Sequence, residues 1–220
     1  MLTLHGSPNS NYYNKVKLAL LEKEVPFTEA YAATHSTADA ILGASPLGKI
    51  PFVTTAQGGL CESQPLMEWI EAAWPHPPLL PADPFAAAKV RELTTFLDWH
   101  LEIVARELYG PAFLGAAALS QGNADRIRKH LIDNIAAFKR LAKFAPFVAG
   151  EAFTQADCAA FAHLPLVAMA SKAVFGEDLL QAAGIDHRGY VKLIAERPAA
   201  QKVVADRKAA QAAYRATGKG

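Results

Sequence analysis

The fold is decided by residues 1–31, which read MLTLHGSPNSNYYNKVKLALLEKEVPFTEAY. Residues 1–6 alternate between leucine and polar side chains, which is the period of a β-strand, and residues 7–11 form a cluster of turn formers. Apolar residues recur at helical spacing over 16–20, and the alternation of a strand returns at 27–31. A strand, a helix and a strand over this length form a βαβ unit, whose two strands are parallel.

The sequence up to residue 73 extends this unit by a connector, a hairpin and a helix. The stretch 37–42 is weakly patterned. Apolar runs at 51–55 and 60–62 flank the turn sequence Ala56-Gln57-Gly58-Gly59, which predicts a β-hairpin. A helix follows over 63–73. The order βαβ-α-ββα is typical of an α/β thioredoxin-like domain.

A change of composition divides the chain. Five of the 14 prolines lie between Pro75 and Pro84, and this run predicts a linker at 76–84, because proline lacks an amide hydrogen and fixes φ. Alanine occupies 11 of the first 84 positions and 33 of the other 136. Since alanine is the best helix former, we expect a thioredoxin-like domain at 1–75 and an all-α C-terminal helical bundle at 85–220.

The helical region divides further by its apolar periodicity. The predicted helices cover 85–118 with a kink at Pro111, 124–144, 154–174 and 188–196. Thr154 followed by Asp157 is a variant of the capping box, which favours a cap for Asp157. The Ala- and Lys-rich tail from Arg197 is expected to fray.

Composition excludes several classes of protein. Hydrophobic residues make up 51% of the chain, which supports a folded core, and 22 Lys+Arg balance 21 Asp+Glu. That balance leaves no electrostatic footprint for nucleic acid or an anionic membrane. The apolar stretches fall short of a membrane span and the N-terminus is unlike a signal peptide, so we expect a cytoplasmic protein. Cys61 and Cys158 form no CxxC pair, which argues against a redox dithiol or a zinc site, and both are interpreted as small core residues.

Polar residues at the predicted strand ends are candidates for chemistry. A hydroxyl at residues 7–11 would meet the unpaired amides and positive dipole end of the next helix, which favour an anion. The alternative is that Ser10 or Asn11 is simply an N-cap. Pro51 has two readings as well, an edge-strand proline or a cis proline in a turn.

The third candidate is the pair Glu62-Ser63. Glu62 is expected to end a strand and Ser63 to cap the next helix. A carboxylate beside a helix N-terminus suits a zwitterion, with an ammonium on Glu62 and a carboxylate on Ser63. Taken alone, the pair favours the simpler interpretation, in which Ser63 is a structural N-cap. His163, in an apolar helix, is interpreted as a core histidine.

Five short motifs follow one another along the chain: Ser10 five residues before Lys15-Val16, Gly48-Lys-Ile-Pro51, Glu62-Ser63, Phe147-Val-Ala-Gly150 with Phe153-Thr-Gln-Ala-Asp157, and Glu196-Arg-Pro198. In this order they resemble the cytosolic glutathione S-transferase family, in its bacterial serine type, and the resemblance runs nearly end to end. It implies glutathione as cosubstrate, no metal, a role in detoxification and a homodimer.

The resemblance also implies a role for each site residue. Ser10, with Asn11 as the alternative, would hold the glutathione sulfur as a thiolate. Ile50 would pair its backbone with the cysteinyl residue, ahead of a cis Pro51. The γ-glutamyl end would bind at Glu62 and Ser63. The glycyl carboxylate would meet Lys49 and His35.

The second substrate is implied to be a hydrophobic electrophile that enters between the domains. Its predicted pocket residues are Tyr12, Leu108, Tyr109 and Phe113. The expected reaction is conjugation of the glutathione thiolate to this electrophile. Two alternatives stay open: another glutathione-dependent enzyme (a peroxidase, an isomerase or a thiol-exchange enzyme), and a non-catalytic binding module on the same fold.

Overall fold

Strand β1 (Leu2–Gly6) buries its two leucines, as its alternating sequence predicts. In this computed structural model, which describes residues 1–216, β1 lies inside a four-stranded sheet. The strands lie in the order β2 (Phe27–Tyr31), β1, β3 (Phe52–Thr55) and β4 (Gly58–Cys61). Strand β1 runs parallel to β2. A parallel pair needs a crossover connection, and helix α1 (Asn11–Glu22) supplies it. The predicted βαβ unit is confirmed.

The second half of the sheet is antiparallel. Strand β3 (Phe52–Thr55) pairs with β1 and with β4 (Gly58–Cys61). The predicted hairpin turn is too long, because Gly58 and Gly59 are paired in β4. The connector contains a short helix, α2 (Asp39–Leu42), and α3 (Ser63–Ala73) follows the hairpin. This is the predicted thioredoxin-like order.

A C-terminal helix completes this first unit, which comprises Met1–Leu80 and the segment from Ala195 onward. Helix α11 is described over Pro198–Ala216. Arg197 donates from Nε and Nη2 to the two carboxylate oxygens of Glu22, at 2.7 and 2.5 Å. The tail from Arg197, which was expected to fray, is helical over Pro198–Ala216. The predicted placement of all of 85–220 in one helical domain differs from the structure in this last segment.

A buried lysine also connects α11 to this unit. Lys17 on α1 is 1% exposed, and its Nζ lies 2.6 Å from Glu29 Oε2 and 2.5 Å from Asp206 Oδ2. Two carboxylates thus compensate one buried ammonium, which would be costly to bury alone. Tyr13, fully buried beneath β1, donates its hydroxyl to the same Glu29 carboxylate. The network joins α1, β2 and α11.

The second unit, Pro81–Ile194, is helical. Its elements are α4 (Pro84–Thr95), a π-helical segment (Phe96–Glu102), α5 (Ile103–Arg106), α6 (Tyr109–Phe113), α7 (Gln121–Leu141), α8 (Gln155–Phe175), α9 (Leu179–Ala182) and α10 (His187–Ile194). Asp83 caps α4 by accepting a hydrogen bond from the amide of Ala86, and Pro84 occupies the first turn, where its missing amide hydrogen costs nothing.

The single helix predicted over 85–118 is wrong. The α-helix widens into the π-helical segment, is interrupted after Arg106 and ends at Phe113. Pro111 is responsible in part, because it has no amide hydrogen to donate to the carbonyl one turn earlier. Pro111 therefore lies within the short helix α6 rather than at a kink in a long one.

Helix α8 is the central helix of this unit. It is long and apolar enough to cross a membrane by length and composition, so the expectation that the apolar stretches fall short of a span is wrong for this helix. In the structure 67% of its most apolar window is buried inside the protein. That burial accounts for its apolar character. The predicted capping box is confirmed, since the Thr154 amide and hydroxyl both donate to Asp157 Oδ2, at 2.8 and 2.9 Å.

Candidate functional site

Ser10 lies at the N-terminus of α1, where the sequence predicted either a cap or a catalytic hydroxyl. It is the N-cap, with extended backbone, and its Oγ accepts a hydrogen bond from the amide of Tyr13 at 3.3 Å. Accepting that bond leaves the hydroxyl proton available for donation to a ligand. Its side chain is half-buried, whereas the alternative, Asn11, is 6% exposed. Ser10 is thus the more accessible of the two.

Asn14 supports the turn that carries Ser10, and sequence reasoning missed it. Its Nδ2 donates to the Pro8 carbonyl at 2.8 Å, across the turn. The side chain is buried, and Asn14 Oδ1 has no hydrogen-bond partner within residues 1–216. Its position one helical turn after Ser10 was the available signal, because residues four apart share a helix face.

The loop before β3 is held by backbone and hydroxyl contacts. Ser45 Oγ donates to the Lys49 carbonyl at 2.8 Å, and the Ile50–Pro51 peptide bond is cis. Gly48 has φ +61, and a Cβ there would lie 2.1 Å from the Ser36 carbonyl oxygen, so only glycine fits.

The two residues assigned to the glycyl carboxylate lie on neighbouring segments. The amide of Ser36 donates to the Gly48 carbonyl at 3.1 Å. His35 precedes Ser36 and Lys49 follows Gly48, so each of them is next to a residue of this contact. Both side chains are exposed. An imidazole and an ammonium in this setting provide hydrogen-bond donors for an anion.

Glu62 and Ser63 differ from the prediction in which residue caps the helix. Ser63 is the first residue of α3, and Glu62 is its N-cap, with φ +69 and ψ 121. A non-glycine residue in such a conformation stores about 1–3 kcal/mol and is typical of ligand-binding positions. The Glu62 side chain makes no capping hydrogen bond and is exposed. The positive end of the α3 dipole is therefore left to attract an anion.

Lys15 lies between the two helix N-termini. It is on α1, fully buried, and its Nζ lies 3.0 Å from Gln64 Oε1 and 3.5 Å from Ser63 Oγ. Sequence reasoning used Lys15 only as part of a motif, because its partners are 48 and 49 residues away. The contact connects the helix that starts after Ser10 with the helix that starts at Ser63.

The four residues predicted to contact the electrophile differ in exposure. Phe113 is 42% exposed, Tyr12 is half-buried and Leu108 is fully buried. Tyr109 donates its hydroxyl to Glu102 at 3.0 Å and has a ring contact with Phe113. Their role stays a prediction.

The cysteines and the buried histidine have structural environments. Burial raises the pKa of the half-buried Cys61 thiol, and the nearby Glu62 charge raises it further, which disfavours a reactive thiolate. Cys158 is fully buried, as predicted for a core residue. His163 is buried as well, with its Nε2 3.0 Å from Asp98 Oδ1, so the interpretation as a core histidine is confirmed. Within residues 1–216 no cluster of three or more His, Cys, Asp or Glu side chains could hold a metal ion.

The fold and the candidate site define a class of protein. It is a thioredoxin-fold chain that presents a serine hydroxyl, rather than a cysteine, at the N-terminus of α1. The cis Pro51 loop and the N-terminus of α3 belong to the same unit.

Comparison with known proteins identifies the family. The sequence model of the glutathione S-transferase N-terminal domain matches residues 4–78. A glutathione S-transferase from Pseudomonas putida is 38% identical over 97% of this chain and 96% of its own length. The chain belongs to the glutathione S-transferase family, which confirms the predicted family and its enzyme class, a transferase.

Two further comparisons extend this result. The crystal structure of a glutathione S-transferase from Methylobacterium radiotolerans, in complex with glutathione sulfonate, has a TM-score of 0.75 at 24% identity and covers 92% of this chain and 94% of its own. That likeness confirms the fold, with a helical region following the thioredoxin-like one. A relative from Caulobacter vibrioides named FtsZ-localized protein A is 30% identical over 93% of this chain and 91% of its own length.

Proposed function

We propose that this protein conjugates the glutathione thiolate to a hydrophobic electrophile. The observation that carries the proposal is the Ser10 hydroxyl, half-buried at the N-terminus of α1 with its proton free to donate. A free thiol has a pKa of about 8.5, and each unit of lowering requires about 1.4 kcal/mol. A charge-assisted hydrogen bond together with the helix dipole supplies on the order of 2–3 kcal/mol. That is enough to make a bound thiol mostly ionised at neutral pH.

The other predicted site residues support glutathione as the cosubstrate. Glu62 would receive the γ-glutamyl ammonium, and Ser63 its carboxylate at the start of α3. Ile50, ahead of the cis Pro51, would pair its backbone with the cysteinyl residue. Lys49 and His35 would meet the glycyl carboxylate. No metal takes part in this proposal.

The remaining parts of the proposal concern partners and setting. The electrophile would meet Tyr12, Tyr109 and Phe113, and would reach the predicted Leu108, which is fully buried, only if neighbouring side chains moved. A homodimer is supported by large apolar side chains that are exposed on the helical unit, Phe85 at 76% and Trp99 at 63%. A detoxification role and a cytoplasmic location are also part of the proposal, and membership of the family supports them. Light scattering on the purified protein tests the dimer.

A second function has one specific observation in its favour. The relative named FtsZ-localized protein A has 30% identity over nearly the whole chain, so the same fold also carries a protein named for where it localises. A non-catalytic binding module is therefore the alternative. The strained backbone of Glu62, with its positive φ, argues against a binding module, because a site without a ligand has no need for a conformation that costs stability.

Calorimetric titration with glutathione separates these functions. The proposal expects saturable binding below millimolar concentration, a thiolate absorbance band in the complex at neutral pH, and conjugates formed from a panel of apolar electrophiles. Binding with turnover of peroxides, double-bond isomers or mixed disulfides alone would identify another glutathione-dependent enzyme. No binding at millimolar glutathione would support the binding module.

A further inference from the structure

Lys15 is a buried cation whose ammonium lies at the start of a helix on another element. Its Nζ donates to Gln64 Oε1 at 3.0 Å and lies 3.5 Å from Ser63 Oγ, at the outer limit of hydrogen bonding. Gln64 in turn donates a hydrogen bond from Nε2 to Glu68 Oε1 at 3.0 Å. Lys15 is 0% exposed and Ser63 is 8% exposed. The charge is therefore held close to the first turn of α3, where solvent screens it little.

A buried ammonium is expensive unless its surroundings compensate it. Helix packing alone would be served as well by an apolar side chain of similar length, and the contacts with Gln64 and Ser63 place this charge at the first turn of α3. Its effect on Ser63 is directional. An ammonium attracts the oxygen end of the hydroxyl dipole, so the Ser63 proton points away from Lys15 and becomes a donor for whatever binds at the α3 N-terminus.

The charge also adds to the field of the helix. The macrodipole places roughly half an elementary charge at a helix N-terminus, and the Lys15 ammonium adds positive charge close to it. Glu62, on the solvent side of the α3 N-terminus, is a carboxylate. The charge near this N-terminus is therefore negative on the solvent side and positive on the buried side. A zwitterion with its carboxylate at Ser63 and its ammonium at Glu62 fits this polarity.

We propose that Lys15 is a positioning residue for the γ-glutamyl α-carboxylate, through its buried charge and through Ser63 and Gln64. The inference rests on the proposed glutathione site. It adds to that site a residue, Lys15, that contacts no atom of the ligand and acts through Ser63 and Gln64. It predicts that the binding energy supplied by Lys15 depends on one chemical group of glutathione.

The test compares two ligands on the intact protein. Glutathione and γ-aminobutyryl-cysteinyl-glycine differ only in the α-carboxylate. We expect Lys15→Met to weaken glutathione binding about tenfold, which corresponds to about 1.4 kcal/mol, and to change binding of the analogue less than about twofold. KM should rise, while kcat and the pKa of the bound thiol should stay unchanged. An equal loss for both ligands, or no loss, overturns the inference.

Lys17→Met is the matched control. Lys17 is a second buried lysine on α1, but its ammonium lies on Glu29 and Asp206. Its removal should lower stability and leave the discrimination between the two ligands as in the wild type. Loss of discrimination in Lys17→Met would show that any damage to α1 has this effect, and would overturn the inference.

A second measurement covers the case in which Lys15→Met fails to fold. In wild-type protein with isotope-labelled lysine, the Nζ resonance of Lys15 should shift when glutathione binds and stay in place with the analogue. A resonance that responds to neither ligand, or equally to both, overturns the inference. Wild-type protein that binds no glutathione would overturn the proposed function itself. Discrimination between the two ligands that survives in Lys15→Met would overturn only this inference.

Discussion

The hydroxyl of Tyr190 donates to Asp157 Oδ1 at 2.7 Å, inside the helical unit, where both residues are buried. The same carboxylate accepts from the Val148 amide at 2.8 Å and from the amide and hydroxyl of Thr154. Burial raises the pKa of Asp157 despite these four hydrogen bonds, and burial with the Asp157 charge raises the pKa of Tyr190. One side chain thus joins the start of α8, the loop before it and α10.

Replacing Asp157 should therefore destabilise the protein strongly. Asp157→Ala leaves buried donors on Val148, Thr154 and Tyr190 without an acceptor, at about 1–3 kcal/mol for each. We expect a loss of at least about 3 kcal/mol in the free energy of unfolding. Urea denaturation followed by circular dichroism measures it. Tyr190→Phe removes one donor and should cost only about 1 kcal/mol. A loss of similar size in the two variants would contradict the central role given to Asp157.

The two roles of Ser10 can be separated by a pair of variants. Ser10→Ala should raise the pKa of bound glutathione, reduce conjugation by about tenfold or more, and cost about 1 kcal/mol of stability as a lost cap. Ser10→Asp should keep the cap and its stability, because aspartate is an equally good N-cap. It should still lose rate, since an ionised carboxylate has no proton to donate to the thiolate. Thiolate absorbance, initial rates and urea midpoints give the three readouts. Unchanged rates in both variants would mean that Ser10 is only a cap.

Glu62 should show a conflict between stability and binding. Glu62→Gly removes the side chain from a backbone with φ +69 and should gain about 0.5–1 kcal/mol of stability. It should also weaken glutathione binding about tenfold. Glu62→Gln keeps the strained backbone and loses the charge, so it should weaken binding without the gain in stability. Melting temperatures and calorimetry measure both effects. A less stable Glu62→Gly protein would show that the strain is absent.

The contribution of Asp206 to stability should depend on pH. Partial burial opposes ionisation of Asp206, but the hydrogen bonds from Lys17 and Lys202 prevail and hold its pKa below the usual aspartate value. A carboxyl group with a lowered folded-state pKa stabilises the protein above its unfolded-state pKa and loses that effect as the pH falls through the folded-state value.

Asp206→Asn should therefore be less stable than the wild type near neutral pH, and the difference should shrink below about pH 4. Urea midpoints across this range measure it. Asp133→Asn is the control, because Asp133 pairs with Lys129 at an exposed position and should contribute little at any pH. A wild-type advantage that is constant with pH would exclude the ion pairs of Asp206 as its source.

Local pattern was sufficient for much of the first unit. Periodicity and turn formers predict a strand at 1–6, a helix after the turn cluster at 7–11 and a helix over 63–73. The structure has the strand at Leu2–Gly6, the first helix from Asn11 and the second over Ser63–Ala73. These elements are determined by residues that are neighbours in sequence, so local pattern alone predicts them.

The misses have physical causes that lie outside local pattern. Glu62 was assigned to the strand because a positive φ in a non-glycine residue leaves no signal in the sequence. Lys15 was not recognised as a site residue, since Ser63 and Gln64 are far away along the chain. The helix of the tail was missed because its stability comes from Glu22 and Lys17, which are about 175 and 189 positions distant.

The attachment of α11 to the first unit has a consequence for the order of events during synthesis. Lys17 is synthesised before the helical unit, and one of its two carboxylate partners, Asp206, is synthesised after it. The helical unit, encoded between them, can fold while the sheet-bearing unit still lacks α11. The sheet-bearing unit therefore begins to be translated before the helical unit and completes its packing after it.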